Sequence, residues 1–208
     1  MSEKYKFRDP YGMYFVTMTI TGWVDIFTKS TYCDIFIDSL KYCQNNKGLV
    51  VHAWVIMSNH VHLIISKNGD LLLSAILRDL KRFTSVEIIK TVKSGNESRK
   101  KWMLEIFAKK AAKLKRVNKY KVWKDGNHPI EIYSNAVIDQ KLDYLHNNPV
   151  KAGVVYKPEE YVYSSAVDYA GGKGLIDVVL IEYVPGTPGT RKIRAPRVGS
   201  ARHFIFQT

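Results

Sequence analysis

The sequence predicts an α+β fold, one antiparallel sheet with helices packed against it. Three observations predict it. Apolar runs rich in β-branched and aromatic residues alternate with helix-period stripes in the order β-α-β-β-α. Two of those runs are separated only by Ser58-Asn59, which makes them a hairpin. One further strand would complete the split β-α-β plan of a ferredoxin-like sandwich.

The elements follow in order. Residues 14–23, YFVTMTITGW, read as the first strand. Residues 31–46 read as a helix, because Ile35, Phe36, Leu40 and Cys43 recur near helical spacing and Lys47-Gly48 supplies a stop. LVVHAWVIM, residues 49–57, is a nearly continuous apolar strand, and HVHLIIS, residues 60–66, is its hairpin partner. Residues 70–93 carry a long helical stripe from Leu73 to Ile89, and 93–99 read as a loop around Gly95-Asn96. The fourth strand is expected at 119–123 or at 128–133. Helices are expected to cover one face of the sheet and leave the other open. A further helix spans 137–147, capped at Ser134-Asn135 and closed before Pro149, and a short one is expected within 159–169. Residues 1–183 thus read as a single domain, followed by a basic, Pro/Gly-rich tail at 184–208.

Charge narrows the partner. The 208 residues contain 32 Lys and Arg against 19 Asp and Glu, a formal net charge of +13. A globular protein this basic faces a polyanion, either nucleic acid or, less often, an anionic membrane surface. The ordinary shares of hydrophobic (46%) and charged (25%) residues exclude disorder as the overall description. Cys33 and Cys43 lie roughly 15 Å apart along one predicted helix, too far for a disulfide. With no signal-like N-terminus and no apolar run of spanning length, a reduced, cytoplasmic setting is expected. Residues 100–124 are the most basic stretch and read as a helix in which Tyr120 and Trp123 stand among lysines. Cations hold phosphates and rings stack on bases, so Lys109, Lys110, Lys113, Lys115, Arg116, Lys119 and Lys121 are candidate nucleic-acid contacts. Arg191, Lys192 and Arg194 in the tail are others, unless the tail folds back over the domain.

Among six histidines, one pair has informative spacing. His60 and His62 flank Val61 in a strand, so both imidazoles point to one face while Val61 joins the core. Two neutral imidazoles side by side can share a divalent metal. Alone, the same pattern also describes two polar residues on a solvated strand face. His52, on the preceding strand, reads as a supporting or core residue. A second element is DYLHNNPVK, from Asp143 to Lys151. Tyr144 and Asn148 are four apart and would share a helix face, although Pro149 pushes Asn148 toward the helix end. If that face packs over His60 and His62, three metal ligands and a nucleophile converge.

HAWVIMSNHVHLIIS, VWKDGNHPIEI, QKLDYLHNNPVKAGVV and YVYSSAVDYAGG together resemble the single-tyrosine transposases of the HUH superfamily. More narrowly, they resemble the REP-associated tyrosine transposases related to the IS200/IS605 type. The resemblance runs from about residue 14 to about residue 177. It implies a ferredoxin-like sheet with the histidines on a central strand. It puts the paired metal ligands at His60 and His62, the nucleophile at Tyr144 and the third ligand at Asn148, where insertion-sequence relatives often carry glutamine.

The implied activity is that of a metal-dependent endonuclease and strand transferase acting on single-stranded DNA hairpins formed by palindromic repeats. A 5′-phosphotyrosine forms, a free 3′-hydroxyl leaves, and Mg²⁺ or Mn²⁺ assists. REP-associated relatives resemble monomers, so a monomer is favoured over a homodimer. Two other readings fit parts of the sequence: a non-catalytic single-stranded nucleic-acid-binding module of ferredoxin-like fold, and a replication-initiator-type nickase. The first leaves His-x-His without a role; the second usually adds a domain for which this chain has no room.

Overall fold

The computed structural model describes residues 7–112 and 119–181. Four strands form one antiparallel sheet: β1 (Met13–Thr19), β2 (Leu49–Ile56), β3 (His60–Lys67) and β4 (Ile130–Ile132). Their order across the sheet is β2-β3-β1-β4. β1 and β2 are linked through helix α1 (Ser30–Lys47), and β3 lies between them, antiparallel to both. This is the split β-α-β arrangement expected from the sequence. Of the two fourth-strand candidates, 128–133 supplies β4; the other contributes a single bridge, Trp123 to Ile20.

One face of the sheet carries Tyr14, Val16, Met18, Val61, Leu63 and Ile65. Against it pack α1, α2 (Leu73–Ser94) and α3 (Lys100–Ala112). α1 stops where Gly48 takes a left-handed φ of 67°, a conformation glycine adopts without steric cost. A Cβ there would meet the Asn68 carbonyl oxygen at 1.8 Å. The two cysteines lie buried on α1 with free thiols.

The opposite face is covered as well, contrary to the expectation that it stays open. Met13, Phe15, Ala53, Val55 and Ile64 form an apolar floor there. Helix α4 (Asn135–His146) seats Ile138, Leu142 and Leu145 on it. These three positions recur at helical spacing, so one stripe of α4 is buried and its edge is left over the sheet. Ser134 caps α4, its Oγ accepting the Val137 N–H. The apolar pattern of α4 is narrow, which is why the sequence did not show that it needs the sheet's second face.

Three boundaries differ from expectation. The first strand ends at Thr19, and Thr21–Trp23 is a 3₁₀ turn. The basic helix ends at Ala112 in the described residues, and 119–129 is non-helical up to β4. Backbone bonds from Thr17 to Asn127, Lys124 to Thr19 and Thr21 to Val122 hold that segment along the edge of β1. The short helix within 159–169 is two pieces, Pro158–Glu160 and Ala166–Tyr169; between them 163–165 pairs with β2 instead. That pairing covers an edge strand. The boundary expected between 183 and 184, and the tail beyond it, lie outside the described residues. No helix among the described residues is long and apolar enough to cross a membrane.

Candidate active site

The pairing of β3 with its neighbours builds the site in rows. Val55, His62 and Thr17 lie opposite one another across β2, β3 and β1, and His60 lies opposite Thr19. Cross-strand partners share a face, so both histidines stand on the face that α4 covers. Their ring centroids are 4.8 Å apart. Tyr144, at the edge of α4's buried stripe, places its ring 5.2 Å from His62. Phe15 stacks on His62 at 5.1 Å and meets Tyr144 edge-on at 6.0 Å, so the three rings form one cluster. Tyr144 is 43% exposed, so the phenol lies at the mouth of the cluster.

Each imidazole is oriented by a neighbour. His62 Nδ1 lies 2.9 Å from Thr17 Oγ1. Its Nε2 is buried with no hydrogen-bond partner among the described residues. His60 Nδ1 lies 2.9 Å from Asn59 Oδ1, an oxygen that can only accept. His60 therefore carries its proton on Nδ1 and keeps Nε2 bare. Asn59 is itself held, its Nδ2 donating to Asp25 Oδ1 at 2.8 Å. Burial holds His60 below the usual imidazole range. Burial, then the nearness of His60 and Lys141, pushes His62 down to about 3. Both rings are thus neutral near pH 7.

Neutral imidazoles with bare nitrogens are the donor set a divalent cation needs. The orphaned His62 Nε2 in particular is a buried ring nitrogen without a partner among the described residues, so the residues present fit the ion. No group of three or more His, Cys, Asp or Glu that could hold a metal occurs among the described residues. A third protein ligand would therefore have to be an amide, a hydroxyl or a backbone oxygen. Asn148 opens the short helix α5 (Asn148–Lys151) directly after the end of α4 at His146, where Pro149 had placed it in the sequence. It is half-buried.

The remaining sequence candidates divide. Lys109 and Lys110 are exposed on α3, which packs on the face opposite Tyr144. Lys119 is exposed, and Lys121 pairs with Asp125 at 2.5 Å. None of these joins the histidine cluster. Lys113, Lys115, Arg116, Arg191, Lys192 and Arg194 lie outside the described residues. Trp123 is not a base-stacking ring: it is 4% exposed in the core, its indole N–H donating to Thr84 Oγ1. His52 is a core residue between Ser66 Oγ and the Val179 carbonyl.

Sequence reasoning missed Thr17, Asn59 and Asp25, which orient the pair. It also missed His146, whose Nε2 lies 2.9 Å from Ser165 Oγ and so ties the end of α4 to the edge of β2. The strand alternation of Thr17 and Thr19 in YFVTMTIT is the one signal that could have found the first.

A ferredoxin-like sheet whose histidine pair faces a helix-borne tyrosine has the layout expected of a single-tyrosine transposase. The profile of the family described as "Transposase IS200 like" matches residues 14–120, just over half of the chain, and the chain belongs to that family. The matched segment contains His60 and His62 and ends before Tyr144. Among solved structures, a REP-associated tyrosine transposase bound to a REP hairpin shares the fold. It has 18% identity and a TM-score of 0.58, over 92% of this chain and 100% of that one. A putative transposase from Deinococcus radiodurans matches at 15% identity and a TM-score of 0.40, over 70% of this chain and 97% of its own. A comparison with curated proteins finds no match.

Proposed function

We propose that this transposase cuts and rejoins single-stranded DNA at palindromic repeat hairpins, with Tyr144 as the nucleophile and a divalent cation at His60 and His62. One observation carries the reading: a single chain brings the Tyr144 ring within 5.2 Å of His62, whose Nε2 is buried and bare. His60 and His62 would hold Mg²⁺ or Mn²⁺ through Nε2, with Asn148, four residues beyond Tyr144, as third ligand. The bound cation would polarise a non-bridging phosphate oxygen.

The chain's own residues do the rest. Asn59 keeps the His60 proton on Nδ1, and Thr17 Oγ1 can accept the Nδ1–H of His62 in the tautomer that leaves Nε2 to a cation. Phe15 and the apolar floor fix the ring of His62. The α4 stripe, anchored at His146 and Ser165, presents the Tyr144 phenol from the rim. Tyr144 Oη attacks phosphorus and loses its proton to solvent. The P–O3′ bond breaks, and the departing 3′-oxygen takes up a proton. The downstream strand stays on the enzyme through a 5′-phosphotyrosine. Attack by another 3′-hydroxyl reverses the step and releases the phenol, so no external energy source is needed. A monomer suffices for this reading, since one chain can supply both histidines and the tyrosine. The hairpin bound by the REP-associated structure supports a hairpin substrate here.

End-labelled hairpins with single-stranded flanks test this. Cleavage is expected with Mn²⁺ or Mg²⁺ and not with EDTA. The upstream fragment should carry a 3′-hydroxyl that a polymerase extends, and the downstream label should remain with the protein. Metal-independent cleavage, or release of both fragments free of protein, would overturn it.

A further inference from the structure

Trp23 is an exposed tryptophan in a conformation that tryptophan rarely adopts. It is 60% exposed and has a φ of 56°. Bulky residues in the left-handed region are outliers, and such strain persists where the surroundings over-determine it. Here the surroundings do. Gly22 before it has a φ of 71° and lies so close to α3 that a Cβ would meet Ile106 Cγ2 at 2.6 Å. Thr21 N–H and Trp23 N–H donate to the Val122 and Ile20 carbonyls. The turn is also tied to the active site, since Asp25 holds Asn59 and Asn59 holds His60.

The indole is not left alone. Lys124 Nζ sits 3.5 Å from its ring centroid. Lys124 also lines the rim of a groove of about 530 Å³ between α2 and residues 120–127. Arg78, Lys81, Arg82 and Lys121 line the same groove. Arg78, Lys81 and Arg82 recur at helical spacing, so α2 presents them as one row. Lys81 is structural, donating to the Lys124 and Gly126 carbonyls and so holding the far wall. Asp125 pairs with Lys121, and Asp79 lies beside Arg78. Arg82 and Lys124 have no carboxylate partner among the described residues. A cationic groove ending at an exposed indole matches the chemistry of single-stranded nucleic acid, phosphates along the groove and a base on the ring.

We infer that Trp23 is a base-stacking platform and that Arg82 and Lys124 bind the backbone of the single strand flanking the active site. The inference rests on the single-stranded DNA reading above and adds a path for the strand. Cation and ring contribute in separable ways: each phosphate contact steepens the salt dependence of binding, whereas stacking does not.

The test measures fluorescence anisotropy of a labelled hairpin with a single-stranded flank. It uses EDTA and the Tyr144→Phe chain, so that no chemistry intervenes. Trp23→Gly is expected to weaken binding about tenfold with an unchanged salt slope, and Trp23→Phe to retain most of the affinity. Arg82→Gln is expected to lower the slope of log K against log salt by about 0.7. Trp23→Gly should leave the melting temperature near that of the parent, because relief of the left-handed strain offsets the lost Lys124 contact and the added freedom of the unfolded chain. Trp23→Gly and Arg82→Gln variants that bind as the parent does would overturn the inference, as would a Trp23→Phe variant that loses as much affinity as Trp23→Gly. A parent chain that binds no single-stranded hairpin would overturn the function reading itself, and this inference with it.

Discussion

Replacing Thr17 with valine removes one oxygen beneath the active site and keeps the shape of the side chain. The consequence follows from the 2.9 Å contact to His62 Nδ1 and from the 4% exposure of His62. In the tautomer that leaves Nε2 bare for a cation, Nδ1–H donates to Thr17 Oγ1, and in the valine variant it has no acceptor in a place water barely reaches. A buried donor left without a partner costs about 1–3 kcal/mol, so a loss near 2 kcal/mol is expected. For a chain of this size that lowers the melting temperature by about 4–8 °C. The second consequence is specific to function. Without Thr17 the proton is free to move to Nε2, the nitrogen that must stay bare to hold a cation. Loss of such an orienting contact weakens metal binding about 10–100-fold. Thermal melts and a titration of Mn²⁺ followed by the paramagnetic signal of the free ion measure the two effects. Thr17→Ser, which keeps the oxygen, should restore metal affinity. A Thr17→Val chain that melts like the parent and binds Mn²⁺ equally well would refute the assigned tautomer and the role given to Thr17.

Two further outcomes are expected. Burial holds His146 at about 4, against a weaker opposing effect of Asp143, and His62 at about 3. Each binds a proton in the unfolded chain below about pH 6.5 and not in the native one, so stability falls as pH drops from that value, by up to about 1.4 kcal/mol per pH unit per residue. Melts between pH 7 and pH 5 should show this decline, and His146→Asn should flatten it; a flat parent profile would contradict it. Glu97 is the second case. Burial alone would raise its pKa, but Arg99 through side chain and backbone, together with Lys29, brings it to about 2. Glu97→Gln leaves those cations facing an amide and should cost about 3 kcal/mol at neutral pH, the upper values for a broken buried pair being reduced because Lys29 is half in water. The native carboxylate's contribution is present above about pH 4.3 and is lost as pH falls toward 2, so the gap between parent and variant in denaturant midpoint should narrow in acid. A gap that stays constant to pH 2.5 would contradict the pairing.

What the sequence revealed, and what it hid, has a physical pattern. Strand alternation placed His60 and His62 on one face, and Val61 in the core, because period-2 geometry is set by the backbone alone. The Ser134 cap and the Gly48 stop were legible for the same local reason. Tyr144 could be placed on a helix, but its meeting with the histidines depends on Ile138, Leu142 and Leu145 finding the apolar floor of a distant sheet face. That is a long-range packing event with no local signature. Trp123 was misread because a tryptophan among lysines looks solvated, whereas an edge pairing with Ile20 turns it inward. The orienting contacts of Thr17 and Asn59 were hidden for a related reason: register across two strands decides which hydroxyl and which amide meet which ring nitrogen.

The central claim is that Tyr144 attacks the phosphate beside His60 and His62. The most direct measurement is to trap the protein on a cognate single-stranded hairpin, isolate the denaturant-resistant adduct and map the modified peptide by mass spectrometry. The account predicts a metal-dependent adduct on the peptide bearing Tyr144, absent in Tyr144→Phe and in the double variant His60→Ala/His62→Ala. An adduct on another tyrosine, or one that persists in Tyr144→Phe, would contradict it.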